Sequence, residues 1–567
     1  MKRLKADLLQ FFHCKAYVCA MSLVALCCYG YTIAHPSIGM DDTAIGLYFQ
    51  EGVAPFVGRW SFFVAENVFH MHIGDFAPWM TELLGVLILM FSITIWCVLW
   101  KRICEPRMVL PVWAYCFPAC IFLSCPLISE VFVFYLHNGV CTAYGLTALS
   151  LLCLTESLSV NRSKRQRIAD IVWASLLLTV ALGFYESFSV VFVMGGVMAF
   201  FLLRRLYGRT GQAGDHQTVY RTKILLWMRN GFLVGASSLL LRMLILSVLN
   251  AVYNLNRLDI YNVRYRHLFG DNFLKEGELI MNLKRFWVMY YVNGIVYLPI
   301  TVLVAAFAFI GIYSLYHGVR KRELILVLCS FSMVLLPILM SIVEGVPTRY
   351  RSGQYVPLVG AFAVLLLFIE LFQRRRASSI YRILSAASFV FLAVLIYNQC
   401  ADMNKWFYLD HMKYQNASEV MKQVAHDLEE EHDISKPIVF GGAYRVPYSI
   451  SKDAYCSFSS LQYRWICYLT DPIDPYLKEK YYAPNGRGYV FTEMPVVSLL
   501  QWGVTAFDGT SEQLIQFMEM HGHSFRCVKD PAVLEEAEQI RQNMPGYPEN
   551  GYIRELEDYI LVNLESL

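Results

Sequence analysis

Charge is what this chain has least of. Only 16% of its 567 residues are Asp, Glu, Lys or Arg, against about a quarter in an ordinary soluble domain. Hydrophobic residues make up 56%, aromatics 15%, and the mean hydropathy is +0.42. A chain that is mainly a soluble globule is thereby excluded. There is no C-x-x-C pair and no His/Cys cluster, so the sequence gives no case for zinc. The last third contains no P-loop, dinucleotide fingerprint or nucleophile elbow, which leaves it without the signature of a nucleotide-binding or hydrolase domain. No convincing internal repeat is present, which weighs against a transporter or flippase built from matching halves. No nucleic-acid partner is expected.

What is present is apolar chain in blocks of about 17 to 25 residues, the length a helix needs to cross a bilayer. Spans are predicted near 16–35, 79–100, 109–128, 138–158, 168–184, 187–203, 231–252, 289–314, 323–343, 356–373 and 380–398. Lys and Arg in alternate short loops set the orientation. Lys2, Arg3 and Lys5, then Lys101, Arg102 and Arg107, Arg162 to Arg167, Arg204 to Lys223, Arg320 to Arg322 and Arg374 to Arg376 mark the cytoplasmic side. Loops 36–78, 253–288 and 344–355 then face outward, as does everything after the eleventh span. The tail agrees in charge, with 14 Lys+Arg against 25 Asp+Glu, while residues 1–399 hold 34 against 20. The basic, apolar N-terminus lacks an A-x-A-like cleavage site, so a retained first span is expected. The sequence thus predicts a polytopic α-helical membrane protein of about eleven transmembrane helices, residues 1–399, followed by an extracytoplasmic α/β domain, 400–567.

In that tail, "NASEVMKQVAHDLEEEHDI" and "SEQLIQFMEMHGH" have helical periodicity, while "KPIVFGG", "GYVFTEMPVVSLLQWGVTAF" and "YIRELEDYILVNL" contain strand-like runs. Most of the 16 cysteines lie in apolar spans as small hydrophobes. Cys400, Cys456, Cys467 and Cys527 lie in the predicted outer domain, where a disulfide is allowed and its pairing is open.

The chemistry is therefore sought on the outer face. "HPSIGMDDTAIGLYF", residues 35–49, places Asp41 and Asp42 just beyond the first span. Consecutive residues point about 100° apart on a helix, so the two are not a symmetric pair. One reading is an N-cap for the following helix. The other is that one aspartate orients while its neighbour accepts a proton from an incoming hydroxyl. In "VAPFVGRWSFF", Gly58 allows a turn, and Arg59 suits either snorkelling toward headgroups or gripping a phosphate. "EGVPTRYRSGQY" brings Arg349 and Arg351 to the outer boundary, on one side of the chain if it is extended. Ionisable groups in or beside spans are costly and so become candidates: Glu130, Glu186 and, deep within a span, Arg242, for which an acidic partner or a cavity is expected. The loop "RLDIYNVRYRHLFG" adds Arg264, Arg266 and His267 among tyrosines, a mixture suited to sugars and lipid phosphates alike.

The order of these pieces, a basic N-terminus, one span, an outward "DD", a "GR", a "GFYES" hairpin and a late "TRYRSGQYVPL", resembles the glucosyltransferase II family, the serotype-converting O-antigen glucosyltransferases. The likeness covers roughly residues 10 to 400 and continues loosely through "NKWFYLDHMKY" and "KPIVFGG". It implies a GT-C type membrane body in a bacterial cytoplasmic membrane. It also implies a polyprenyl-phosphate-glucose donor and a cell-surface polysaccharide or glycolipid as acceptor. Asp41 and Asp42 match the family's acidic pair, Arg59 the "GR" arginine, and Arg349 or Arg351 the late-loop arginine. Glu186 departs from the polar amide that the resemblance implies at its position. A divalent cation, Mg or Mn, bridging Asp42 and phosphate is compatible with this pattern and is not established by it. The lack of a nucleotide-sugar domain agrees with a lipid-linked donor. A polysaccharide polymerase or ligase would share the outer arginines without needing the acidic pair after the first span.

Overall fold

The computed structural model describes residues 2–39, 58–69, 77, 79–105, 108–134, 136–159, 162–207, 215–253, 298–321, 323–344, 352–374, 379–457, 488–490, 498–500 and 510–565. Helix dominates, because a chain crossing hydrocarbon has to satisfy its backbone N–H and C=O groups internally. In chain order the main helices are α1 (Lys2–His13), α2 (Lys15–Ala34), α3 (Trp60–Asn67), α4 (Met80–Cys104), α5 (Cys116–Leu123), α6 (Ser129–Phe132), α7 (His137–Glu156), α8 (Lys164–Phe184) and α9 (Phe188–Tyr207). They continue with α10 (Asp215–Tyr253), α11 (Leu298–Lys321), α12 (Leu324–Glu344), α13 (Val356–Arg374) and α14 (Ser379–Glu431).

Where it is described, each predicted span falls on helix, and among the described residues eight helices are long and apolar enough to cross a membrane. The chain is a multi-pass helical membrane protein. The third predicted span differs from expectation: it is a broken pair, Val112–Leu123 and Pro126–Phe132, bent by 48°, and would be a ninth crossing if counted as one. Pro126 starts the second piece and cannot donate to the turn before it, which accounts for the break. The tail also departs from expectation. Instead of ending near 398 and restarting near 416, α14 runs unbroken for 53 residues. No Gly or Pro occurs between Ser379 and Glu431 to stop it.

The chain separates into two compact units. The first comprises Met1–Ile33, Gly52–Phe132 and Leu136–Asn404; the second comprises Ala34–Glu51, Val133–Tyr135 and Lys405–Leu567. Within the first unit, helices approach through small residues, as lipid-solvated bundles require. Ser92 donates to the Cys141 carbonyl at 2.8 Å, and Ser150 to that of Ala174 at 2.8 Å. One end of this bundle is held by ion pairs. Asp7 of α1 takes Lys101 and Arg102 of α4, each at 2.7 Å, Arg102 reaches Glu156 of α7 at 2.7 Å, and Arg162 reaches Asp170 of α8 at 3.3 Å. Farther along, Arg204 meets Glu323 and Arg205 meets Glu370, each at 2.6 Å. The basic clusters used to orient the chain therefore come together at one end. Away from that end, Cys28 of α2 has its Sγ 3.4 Å from that of Cys400 in α14, and both are free thiols.

The second unit is α/β. Strand β1 (Ile438–Gly441) pairs in parallel with the later strand Ile560–Asn563, which pairs antiparallel with Ile553–Glu555. Tyr455–Ser457 and Gly488–Val490 form a separate antiparallel pair. Helix Glu512–Glu519 falls on "SEQLIQFME", and a further helix, Pro531–Arg541, starts at Asp530, whose side chain accepts from the Ala532 N–H at 2.9 Å. Cys527 is also a free thiol, and Cys467 lies outside the described residues. The core of this unit joins Val420, Met421 and Val424 of α14 to Ile438, Ile560 and Val562 of the sheet. It also takes in Ile38, from the segment that follows the first span.

Candidate functional site

At the end of the first unit opposite its ion pairs, three of the quoted motifs meet. Gly58 has φ +86°, a backbone state that side chains resist, and a Cβ there would lie 2.1 Å from Nη2 of Arg242. The positive φ favours glycine, and a side chain would also have to push the flexible end of Arg242 aside. Arg242 Nη2 donates to the Gly58 carbonyl at 3.2 Å, so the deeply placed arginine of α10 is tied to the turn of the "GR" motif. The next residue, Arg59, precedes α3 and holds its guanidinium 4.4 Å from the ring centroid of Tyr185, the middle residue of "GFYES".

Helix α3 is fixed to the bundle by fitted notches. Ser61 donates to the Val180 carbonyl at 2.9 Å, and Phe62 meets Phe184 edge-on with centroids 5.0 Å apart. Gly183 leaves room for Trp60 and Ser61, and Gly139 leaves room for Phe62. The aromatic face of α3 is thus buried against protein, with Trp60, Phe62 and Phe63 all inside.

Tyr185 ends α8 in an extended conformation and lets the chain reverse into α9. In the same turn Ser187 donates to Oε1 of Gln354, the glutamine of "SGQY", and Tyr144 donates to the Gln354 carbonyl at 2.8 Å. The described part of the "TRYRSGQYVPL" segment, "SGQYVPL", therefore lies beside the "GFYES" turn through Gln354. Glu186, between Tyr185 and Ser187, has a buried Oε2 that accepts no hydrogen bond among the described residues.

A second polar group lies at the same helix ends. His137, fully buried at the start of α7, has Nε2 3.1 Å from the Thr81 carbonyl and 3.8 Å from Oε2 of Glu82. Its ring stacks on Phe132 at 4.5 Å, and Glu130, 7% exposed, lies two residues before that phenylalanine. Gly85 provides space for the imidazole.

Arg59, Arg242 and Glu186 are therefore brought to one turn cluster, and Glu130 belongs to the neighbouring group. Asp41, Asp42, Arg264, Arg266, His267, Arg349 and Arg351 lie outside the described residues. Arg242, for which an acidic partner or a cavity was expected, gives one hydrogen bond to the Gly58 backbone carbonyl. Sequence reasoning passed over Tyr185, Ser187 and Gln354 because they carry no charge, although each stood inside a quoted motif. Glu82 was within reach, since it lies in the first turn of a 25-residue apolar helix, the circumstance that singled out Glu130.

No curated protein and no solved structure matches the chain. The family profile described as Glucosyl transferase GtrII matches residues 30–368. That stretch is more than half of the sequence and contains the "GR", "GFYES" and "SGQY" residues that meet at this end of the bundle, and the chain belongs to the Glucosyl transferase GtrII family.

Proposed function

We propose that the protein transfers glucose from polyprenyl-phosphate-glucose to a cell-surface polysaccharide or glycolipid, at the outer face of a bacterial cytoplasmic membrane. The observation that carries the reading is the meeting of Gly58–Arg59, Tyr185–Ser187, Arg242 and Gln354 at the bundle end away from the basic clusters. A prenyl tail stays in hydrocarbon while its phosphate lies at the boundary, which is where an arginine is needed. A cation at a helix N-terminus has the wrong sign for the helix dipole, yet Arg59 stands directly before α3. A bound phosphate there would complement both the guanidinium and the N-terminal dipole of α3. Arg351 and Arg349, three and five residues before Gln354 in sequence, complete the phosphate grip in this scheme. Arg242 holds the "GR" turn in place. Glu130, Glu186, Arg264, Arg266 and His267 have supporting roles around sugar and headgroup.

The reaction is a single displacement that inverts the anomeric carbon. The acceptor hydroxyl loses its proton to Asp41 or Asp42 as its oxygen bonds the anomeric carbon, and the carbon–phosphate oxygen bond breaks to release prenyl phosphate. Guanidiniums stabilise the departing charge. Among the described residues no group of three His, Cys, Asp or Glu side chains could hold a metal. A Mg or Mn ion, if the enzyme uses one, would be held by Asp41 or Asp42, and no step above depends on it. In this scheme the ion-paired end faces the cytoplasm, and the N-terminus lies there too.

The test is label transfer from radiolabelled polyprenyl-phosphate-glucose to extracted surface glycan, in membranes containing equal amounts of folded protein. Wild type should transfer. Asp41→Asn or Asp42→Asn should lower turnover by about 10²-fold or more, with donor binding retained, while Arg59→Ala should weaken donor binding. Full activity in both aspartate variants would remove the assigned base.

A further inference from the structure

The second unit contains a feature that the transferase scheme leaves unused. Immediately after α2, the chain enters the second unit and attaches to α14. Ser37 Oγ donates to Oδ2 of Asp410 at 2.6 Å, and His35 meets the His411 ring edge-on with centroids 5.4 Å apart. Ile38, 3% exposed, is built into the apolar core beside Val420 and Val424. Asp410 itself is paired with Lys413 at 2.7 Å, and both residues are only 2% exposed. Burying two charges costs several kcal/mol of desolvation, and a well-packed apolar pair would often serve stability as well or better. What the charged pair supplies and an apolar pair cannot is a fixed, negatively charged acceptor for the Ser37 hydroxyl.

We infer that the C-terminal unit is the mount for the first outer loop. Asp410 is a positioning residue that acts through Ser37, with Lys413 holding its carboxylate in place. Ser37 is four residues before Asp41 in sequence, so the attachment anchors the chain close to the acidic pair. This rests on the proposed role of Asp41 and Asp42, and it gives the C-terminal unit a task in the transferase scheme. Misplacement by about 1 Å costs an enzyme on the order of 10²-fold in rate. A loosened mount should therefore appear in kcat and leave the KM for the lipid donor little changed.

The experiment uses the full-length protein in lipid nanodiscs. Hydrogen exchange across residues 35–39 and transfer kinetics with polyprenyl-phosphate-glucose are measured for wild type, Asp410→Asn, Ser37→Ala and Ser37→Thr. Asp410→Asn and Ser37→Ala should speed exchange at 35–39 and lower kcat by tenfold or more, on the order of the cost of misplacement, with donor KM within about twofold. Ser37→Thr, which keeps the hydroxyl, should restore both. Ser37→Ala leaves the buried ion pair intact, so it decides the matter if Asp410→Asn does not fold. Faster exchange with unchanged kcat, or no change in either readout, overturns the positioning role. If Asp41→Asn and Asp42→Asn are fully active while Ser37→Ala is slow, the assigned base is wrong and the mount stands. If wild type transfers nothing from this donor, the proposed function fails, and exchange at 35–39 alone decides whether the attachment holds the segment.

Discussion

At the scale of single residues, the site is built from constraints that charge alone does not reveal. Gly58 is the clearest case, since its φ of +86° disfavours any side chain and a Cβ would displace the guanidinium of Arg242. Gly58→Ala should cost about 1–3 kcal/mol for the backbone alone, with a further penalty from the collision. Removing the arginine as well separates the two contributions. Gly58→Ala should be markedly less damaging in an Arg242→Ala background than in wild type, measured as melting temperature and transfer rate in a double-mutant cycle. Equal damage in both backgrounds would show that the contact carries no energy. Arg59 and Arg242 were visible in the sequence because isolated charges in apolar surroundings are expensive. Tyr185, Ser187 and Gln354 were not, because a tyrosine that receives a cation and an amide that receives a hydroxyl look like ordinary span-end residues until the chain is folded.

At the scale of elements, hydrophobic length located the helices well and their breaks poorly. Apolar runs register the lipid environment directly, whereas the bend at Pro126 and the continuity of α14 depend on local backbone chemistry. The ion-paired bundle end gives a test of how these elements are held together. Burial would raise the pKa of Asp7, but hydrogen bonds and charge from Lys101 and Arg102 outweigh it and hold the carboxyl below its ordinary value of 3.8. A carboxylate whose pKa is lower folded than unfolded contributes stability that is fully present above the unfolded value. That contribution is lost as the pH falls through the folded one. Thermal unfolding in detergent should therefore show a loss of stability as the pH is taken below about 4. Asp7→Asn should remove that part of the pH dependence and cost about 3 kcal/mol near neutrality by leaving two buried cations short of a partner. An unchanged acid limb in Asp7→Asn would show that other carboxylates set it.

At the scale of the whole molecule, membrane class and family were legible from composition and motif order, and the family profile bears out the resemblance. The orientation has its own test. Reporter fusions should be active as cytoplasmic proteins after the basic stretch near residue 213 and as extracytoplasmic proteins after residue 567, and the reverse pattern would invert the assignment. Division into body and tail was less legible, because the second unit draws on Ala34–Glu51 as well as on the chain after Lys405. No local pattern in "HPSIG" announces that Ile38 joins the same core as Ile560 and Val562. That placement has a consequence in time. At a synthesis rate of about 5–20 residues per second, Ile38 leaves the ribosome on the order of a minute before the strand that completes its core exists. The early segment must wait for the last strand of the protein, and a nascent chain stopped anywhere in between carries an unfinished core that quality control can recognise.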